Sequence, residues 1–167
     1  MTPSDYIDYF KMIAEQHVDL AHDDVNNRSF YDGNIDAFLD GLIDFTGDGP
    51  FMFLEHKSGK LGDAGDNPFD HTRAAFMILK KVEPNDAADE KTKLNECWAI
   101  GNDILKRMYK EVREEGNDQP FDTFHLNTVA YQKIGATMDR EKGYRFEFDL
   151  PEGMDFTYDE TKWISES

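Results

Sequence analysis

The sequence predicts an α+β fold: an antiparallel-rich sheet of about four strands, set as two hairpins, packed by one long helix and two N-terminal helices. Three observations carry this expectation. Tyr144, Phe146, Phe148 and Leu150 alternate with Arg145, Glu147 and Asp149, the period-two pattern of a strand with one buried and one wet face. Leu94, Trp98, Gly101, Leu105, Met108 and Val112 recur at helical spacing within residues 88–115, with Cys97 and Ile104 at the margin of the stripe. Such a helix is roughly 40 Å long at 1.5 Å per residue. Finally, two apolar runs, Phe51 to Leu54 and the longer stretch 69–82, lie between the breaks Gly47-Asp48-Gly49-Pro50 and Glu83-Pro84-Asn85-Asp86.

In chain order, Thr2-Pro3-Ser4-Asp5 opens the first helix. Thr2 caps it, Pro3 suits the first helical position, and Asp5 completes a capping-box spacing. Tyr6, Phe10, Ile13, Ala14 and His17 form its apolar stripe, and the helix frays by Ala21. A second helix is expected over 34–43 on the stripe Ile35, Phe38, Leu39 and Leu42, with Asp32, Asp36, Asp40 and Asp44 four apart on another face. Like charges at that spacing cost stability, so the acidic file is a solvated surface unless it serves as a channel lining or partner surface. Phe51 to Leu54 reads as a short buried strand, 57–68 as a loop rich in glycine and aspartate, and 69–82 as a central strand. The long helix starts with Asp89 and Glu90 and carries Lys106, Arg107, Lys110 and Arg113 toward its end, complementing the helix dipole. Gly101 on its apolar face costs helix stability and is expected to let the helix approach the sheet closely. Residues 124–134 and 144–150 form the second hairpin around a turn at 135–143. The expected division is a single domain over 1–150 and a C-terminal extension over 151–167.

Composition narrows the function. The chain has 35 acidic and 18 basic residues, a net charge of −17. Residues 1–68 hold 14 acids against 4 bases, whereas 69–120 hold 11 against 9. Such a surface repels phosphate, which excludes sequence-specific nucleic-acid binding as the expected function. No run approaches the ~20 apolar residues of a membrane span, and Asp5 and Asp8 stand where a signal peptide carries basic residues, so a soluble, non-secreted chain is expected. The single cysteine, Cys97, forms no intrachain disulfide and lies in a helical stripe, where a buried apolar role is expected.

Motifs for catalysis are sought and not found. His17, His22, His56, His71 and His125 form no HExxH motif or i,i+4 pair, and there is no GxSxG, Walker loop or GxGxxG before a helix. His56 and His71 would meet only if their strands pair suitably, which would permit a metal site. The loop Gly62-Asp63-Ala64-Gly65-Asp66-Asn67 lacks the alternating acids and closing glutamate of an EF-hand, so it reads as a polar hairpin tip. Neither an enzyme nor any cofactor is expected.

Two stretches carry a family resemblance. One is Phe51-Met52-Phe53-Leu54-Glu55 followed by Gly59-Lys60-Leu61-Gly62-Asp63 and the strand after Asp70. The other is Phe124-His125-Leu126-Asn127 with Val129 and Tyr131, then Gly143-Tyr144-Arg145-Phe146-Glu147-Phe148. Together they resemble small proteins of the structural modules of Bacteroidetes phages and prophages. The element order resembles the tail-terminator or tail-completion (head–tail connector) fold. The likeness covers most of residues 4–150. It implies a non-enzymatic virion protein, made in the host cytoplasm and placed at the tail end or neck. It further implies a homo-oligomeric ring, often sixfold, touching tail-tube or connector proteins and crossed by DNA. A carboxylate-lined lumen would keep DNA from sticking, and Asp36, Asp40, Asp44, Asp63 and Asp66 are the candidates for that lining. Two other classes fit the composition: an acidic DNA mimic that occupies a nucleic-acid-binding enzyme, and a small metal-binding domain or enzyme.

Overall fold

The computed structural model describes residues 1–36, 48–63, 68–114, 123–135 and 141–153. The first helix, α1 (Pro3–Gln16), begins as its sequence dictates. Asp5 N–H donates to Thr2 Oγ1 (3.2 Å) and Thr2 N–H donates to Asp5 Oδ2 (2.8 Å), a reciprocal capping box. Hydrogen bonding from Thr2, its hydroxyl foremost and then its backbone N–H, holds the Asp5 carboxyl below its ordinary value. A carboxylate whose pKa is depressed on folding stabilises the fold above that ordinary value, and the contribution disappears as pH falls through the folded pKa. Thr2→Ala is expected to cost about 1 kcal/mol at neutral pH. In Asp5→Asn, the loss of stability on acidification should be smaller than in the wild type, as read from urea midpoints along a pH series. Equal acid limbs for the two proteins would refute this assignment.

Six strands follow in one sheet: β1 (Phe30–Gly33), β2 (Phe51–Glu55), β3 (Ser58–Asp63), β4 (Pro68–Lys81), β5 (Ala130–Ile134) and β6 (Glu141–Gly153). The long helix α2 (Ala87–Glu114) connects β4 to the second hairpin. The order across the sheet is β1-β2-β4-β6-β5, and β3 also pairs with β4. All pairings are antiparallel except β1–β2, which is parallel. The α+β class and the antiparallel-rich sheet therefore stand, but the sheet is mixed and has six strands where about four were expected. β1 escapes sequence reading because it is four residues long and ends in Asp32-Gly33. β3 escapes because an exposed edge strand needs no apolar face. It lies within 57–68, which reads from composition as a loop.

The register exposes how β2 and β3 are related. Leu54 stands opposite Phe76 and Ser58 opposite Arg73, so Glu55, His56 and Lys57 face only Ala74 and Ala75. This is a β-bulge in one long strand that forms a hairpin with β4. Its tip lies between the paired Asp63 and Pro68. The strand expected from Phe124 begins only at Ala130. Before it, residues Leu126–Thr128 form a short 3₁₀ turn, where Thr128 Oγ1–H donates to His125 O (2.8 Å). β6 runs through Gly153, beyond the boundary expected at 150, and its last residue pairs with Phe69.

One face of the sheet packs against α1 and α2. Tyr6, Phe10 and Ile13 of α1 meet Phe76, Phe146 and Phe148 from the sheet and Cys97, Ile100, Ile104 and Met108 from α2. Phe76 and Phe146 stack with centroids 5.1 Å apart, and Phe124 meets Phe148 edge-on at 5.5 Å. The buried stripe of α2 is rotated from the sequence reading. Cys97, Ile100 and Ile104 sit at its centre, while Leu94 and Trp98 are half-buried margins. Gly101 behaves as expected, lying directly over the Phe146 ring. His22 seals the far end of α1: its Nδ1 accepts from the N–H groups of Ser29 (3.1 Å) and Phe30 (3.2 Å), and its Nε2 donates to Asp24 (3.1 Å). A smaller cluster, Tyr31, Phe51, Phe53, Met77 and Leu79, is buried on the opposite face, which makes β4 apolar on both sides over that half.

The second helix expected over 34–43 lies mostly outside the described residues. Only its start is described, where Ile35 and Asp36 begin a helical turn and Asp36 N–H donates to Asn34 Oδ1 (2.8 Å). Of the extension expected over 151–167, residues 151–153 belong to β6 and 154–167 lie outside the described residues.

Candidate functional site

The polar half of the second sheet face is built from the bulge outward. There Glu55 points at Arg145, whose Nε and Nη2 donate to its two carboxylate oxygens at 2.5 and 2.9 Å. Arg145 also binds Glu147. The Glu55 bonds foremost, and then Glu147, hold the guanidinium above its ordinary value against the cost of partial burial. Beyond this pair, Arg73 lies 3.8 Å from both Glu147 and Asp149. Together with Ser58, Gly59, Lys60 and His71, Arg73 and Asp149 line an open recess of about 450 Å³. Ser58 and Arg73, and Lys60 and His71, are opposite one another in register, which gathers positive charge on one patch of an acidic chain. Asp149 and Glu147 balance it, so the recess is an internally paired polar surface.

The strand edges form the second feature. Backbone direction can be read at two independent points. Met52 N–H donates outward to Ser29 O (2.7 Å), so in β2 the even-numbered residues face β1. Asp149 N–H donates to Thr128 Oγ1 (3.3 Å), so in β6 the odd-numbered residues face β5. Carried through the register, both assignments agree. In β3, Gly59 and Leu61 direct their backbone groups away from β4. In β5, Tyr131 and Lys133 direct theirs away from β6. Among the described residues no strand pairs with either outer edge. Both edges expose one large apolar side chain: Leu61 is 56% exposed and Tyr131 62%. Tyr131 is held upright by Trp98, with ring centroids 4.5 Å apart. Neither Ser58 to Gly62 nor Ala130 to Ile134 contains an acid, in a chain that has 35.

The acidic residues singled out from sequence fare unevenly. Asp36 is exposed just past β1. Asp63 ends β3 opposite Pro68, at the hairpin tip. Asp40, Asp44 and Asp66 lie outside the described residues, so the five are not brought together here. The histidine pair is not formed either. His56 lies 3.3 Å from Asp32, whereas His71 stands opposite Lys60 and Pro151. Among the described residues, no three His, Cys, Asp or Glu side chains converge to hold a metal. The Cys97 thiol is buried and pushed up to about 12 by desolvation, an inert setting. No helix among the described residues is long and apolar enough to cross a membrane.

Sequence reasoning missed the edge pair and the recess. The only trace of the first is that Leu61 in Gly59-Lys60-Leu61-Gly62 and Tyr131 before Gln132-Lys133 are apolar residues without an apolar period, which does not by itself mark an edge. Comparison with known proteins adds no assignment, since no protein-family model and no curated protein matches the chain.

Proposed function

We propose that this chain is a non-enzymatic structural subunit of a tailed-phage virion, a tail-terminator, tail-completion or neck protein that assembles into a ring crossed by DNA. The observation that carries the reading is the pair of edges, β3 and β5, that meet no further strand among the described residues on opposite sides of one sheet and hold no acid over 58–62 and 130–134, in a protein of net charge −17. A subunit with unlike edges on opposite sides is suited to head-to-tail contacts, which generate rings when the rotation closes. Acids elsewhere on the surface would keep the DNA backbone from adhering to the lumen, with Asp36, Asp40, Asp44, Asp63 and Asp66 as the proposed lining.

The test is native mass by light scattering at low and high salt and with magnesium. Subunits this acidic repel one another at low ionic strength and associate once screened. A closed species of several subunits that sharpens with salt or magnesium is the expected result. A monomer under every condition counts against the ring and makes inhibition of a DNA-binding enzyme, the behaviour of a DNA mimic, the next assay.

A further inference from the structure

Resting on the ring reading above, we propose that neighbouring copies join by antiparallel pairing of β5 of one copy with β3 of the next, with Tyr131 opposite Leu61. Four independent features of the two edges agree on this register. First, directly opposite residues in an antiparallel ladder must both direct their N–H and C=O groups at each other or both away. Tyr131 and Leu61 both direct theirs outward, so the pair is a hydrogen-bonded one. Second, opposite residues must share a sheet face. Tyr131 pairs with Phe146 and Leu61 with Asp70, which neighbours Thr72 on the face carrying Ala74 and Phe76, so both side chains stand on the helix-covered face.

Third, β5 and β4 run one way and β3 and β6 the other. A copy rotated about an axis along the strands therefore presents β3 antiparallel to β5. Fourth, the register meets no charge conflict. Gln132 falls opposite Lys60, Lys133 opposite Gly59, and Ala130 opposite Gly62. Like charges directly opposite would be destabilising, and none occurs. The contact uses one edge of each partner and leaves the other edge open, so it repeats until the ring closes. A two-fold β5–β5 contact would stop at a dimer, and would set Tyr131 against its own copy or against Lys133.

Two measurements on the full chain test the contact. Opposite residues in a hydrogen-bonded pair have Cα atoms about 5.5 Å apart, within reach of a disulfide. On oxidation, a double variant Leu61→Cys, Tyr131→Cys is expected to give a ladder of covalent multimers, and either single variant alone none. Cys97, buried with its thiol pushed up to about 12, stays out of the reaction. Separately, Leu61→Glu and Tyr131→Glu should each lose the oligomer. Because each retains one intact edge, mixing them should double the monomer mass and stop there.

Covalent dimers from Tyr131→Cys alone would overturn the contact in favour of a two-fold one. A closed oligomer by light scattering without the cysteine ladder would overturn this interface and leave the ring standing. A monomer in both assays would overturn the two together. The glutamate substitutions lie on exposed edges, so a cooperative unfolding transition in each variant, with the recovery of a dimer on mixing, confirms that lost assembly is not lost folding.

Discussion

Gly101→Ala is expected to destabilise the fold by about 2 kcal/mol, although alanine is the better helix former by about 1 kcal/mol. A Cβ at this position would lie 2.1 Å from Phe146 Cε2 and 2.2 Å from Cζ. The ring cannot retreat, because it is fully buried and stacked on Phe76. Overpacking a site of this kind costs typically 1–3 kcal/mol, and a contact this short belongs at the upper end, which outweighs the helical gain. The coupling to Phe146 makes the account specific. Phe146→Leu opens space where the new methyl must go, so the double variant should be less destabilised than the sum of the singles by at least about 1 kcal/mol. Urea unfolding of the four proteins measures this cycle. Strict additivity, or a Gly101→Ala variant more stable than wild type, would show that α2 does not depend on close approach over Phe146.

Arg145→Met is expected to cost about 3 kcal/mol. Its partner Glu55 is only 12% exposed at the side chain, and Arg145 itself 25%. Removing one member of such a pair leaves a carboxylate in a poorly solvated place, a change that costs more than the intact pair contributes. The loss should persist in high salt, because partly buried pairs are screened far less than exposed ones. Glu55→Gln added to Arg145→Met should recover part of the stability by removing the stranded charge. Denaturant midpoints of wild type, both singles and the double at two ionic strengths decide the matter. A single variant indistinguishable from wild type would mean that the bidentate pair is a surface decoration of the kind worth little.

The sequence by itself determined the elements that carry a strong period. The alternation from Tyr144 to Leu150 allows only a strand with one buried face. The three- and four-residue spacing through Cys97, Gly101, Leu105 and Met108 allows only a helix with one buried stripe. Thr2, Pro3 and Asp5 specify where α1 begins through bonds made within one turn. These are local or one-dimensional facts, so they are legible without a partner. Cys97 as an inert buried residue and Gly101 as a place of close approach were legible for the same reason.

Only the tertiary structure decided features whose cause lies across the chain. β3 is a strand because β4 offers it a ladder, and its glycines, Lys60 and exposed Leu61 carry no period of their own. β1 lies beside β2 because the chain crosses over to put it there, and four residues ending in Asp32-Gly33 do not announce it. The centre of the buried face of α2 was displaced because a helical stripe read from sequence has no neighbour to fix it, and Cys97, Ile100 and Ile104 are the residues that the sheet and α1 cover. The bulge at Glu55, His56 and Lys57 is a difference of one residue between two registers, and it directs Glu55 toward Arg145, 90 residues away. The two open edges follow from the same logic: an edge is defined by the strand that is not beside it, and no residue in β3 or β5 records that alone.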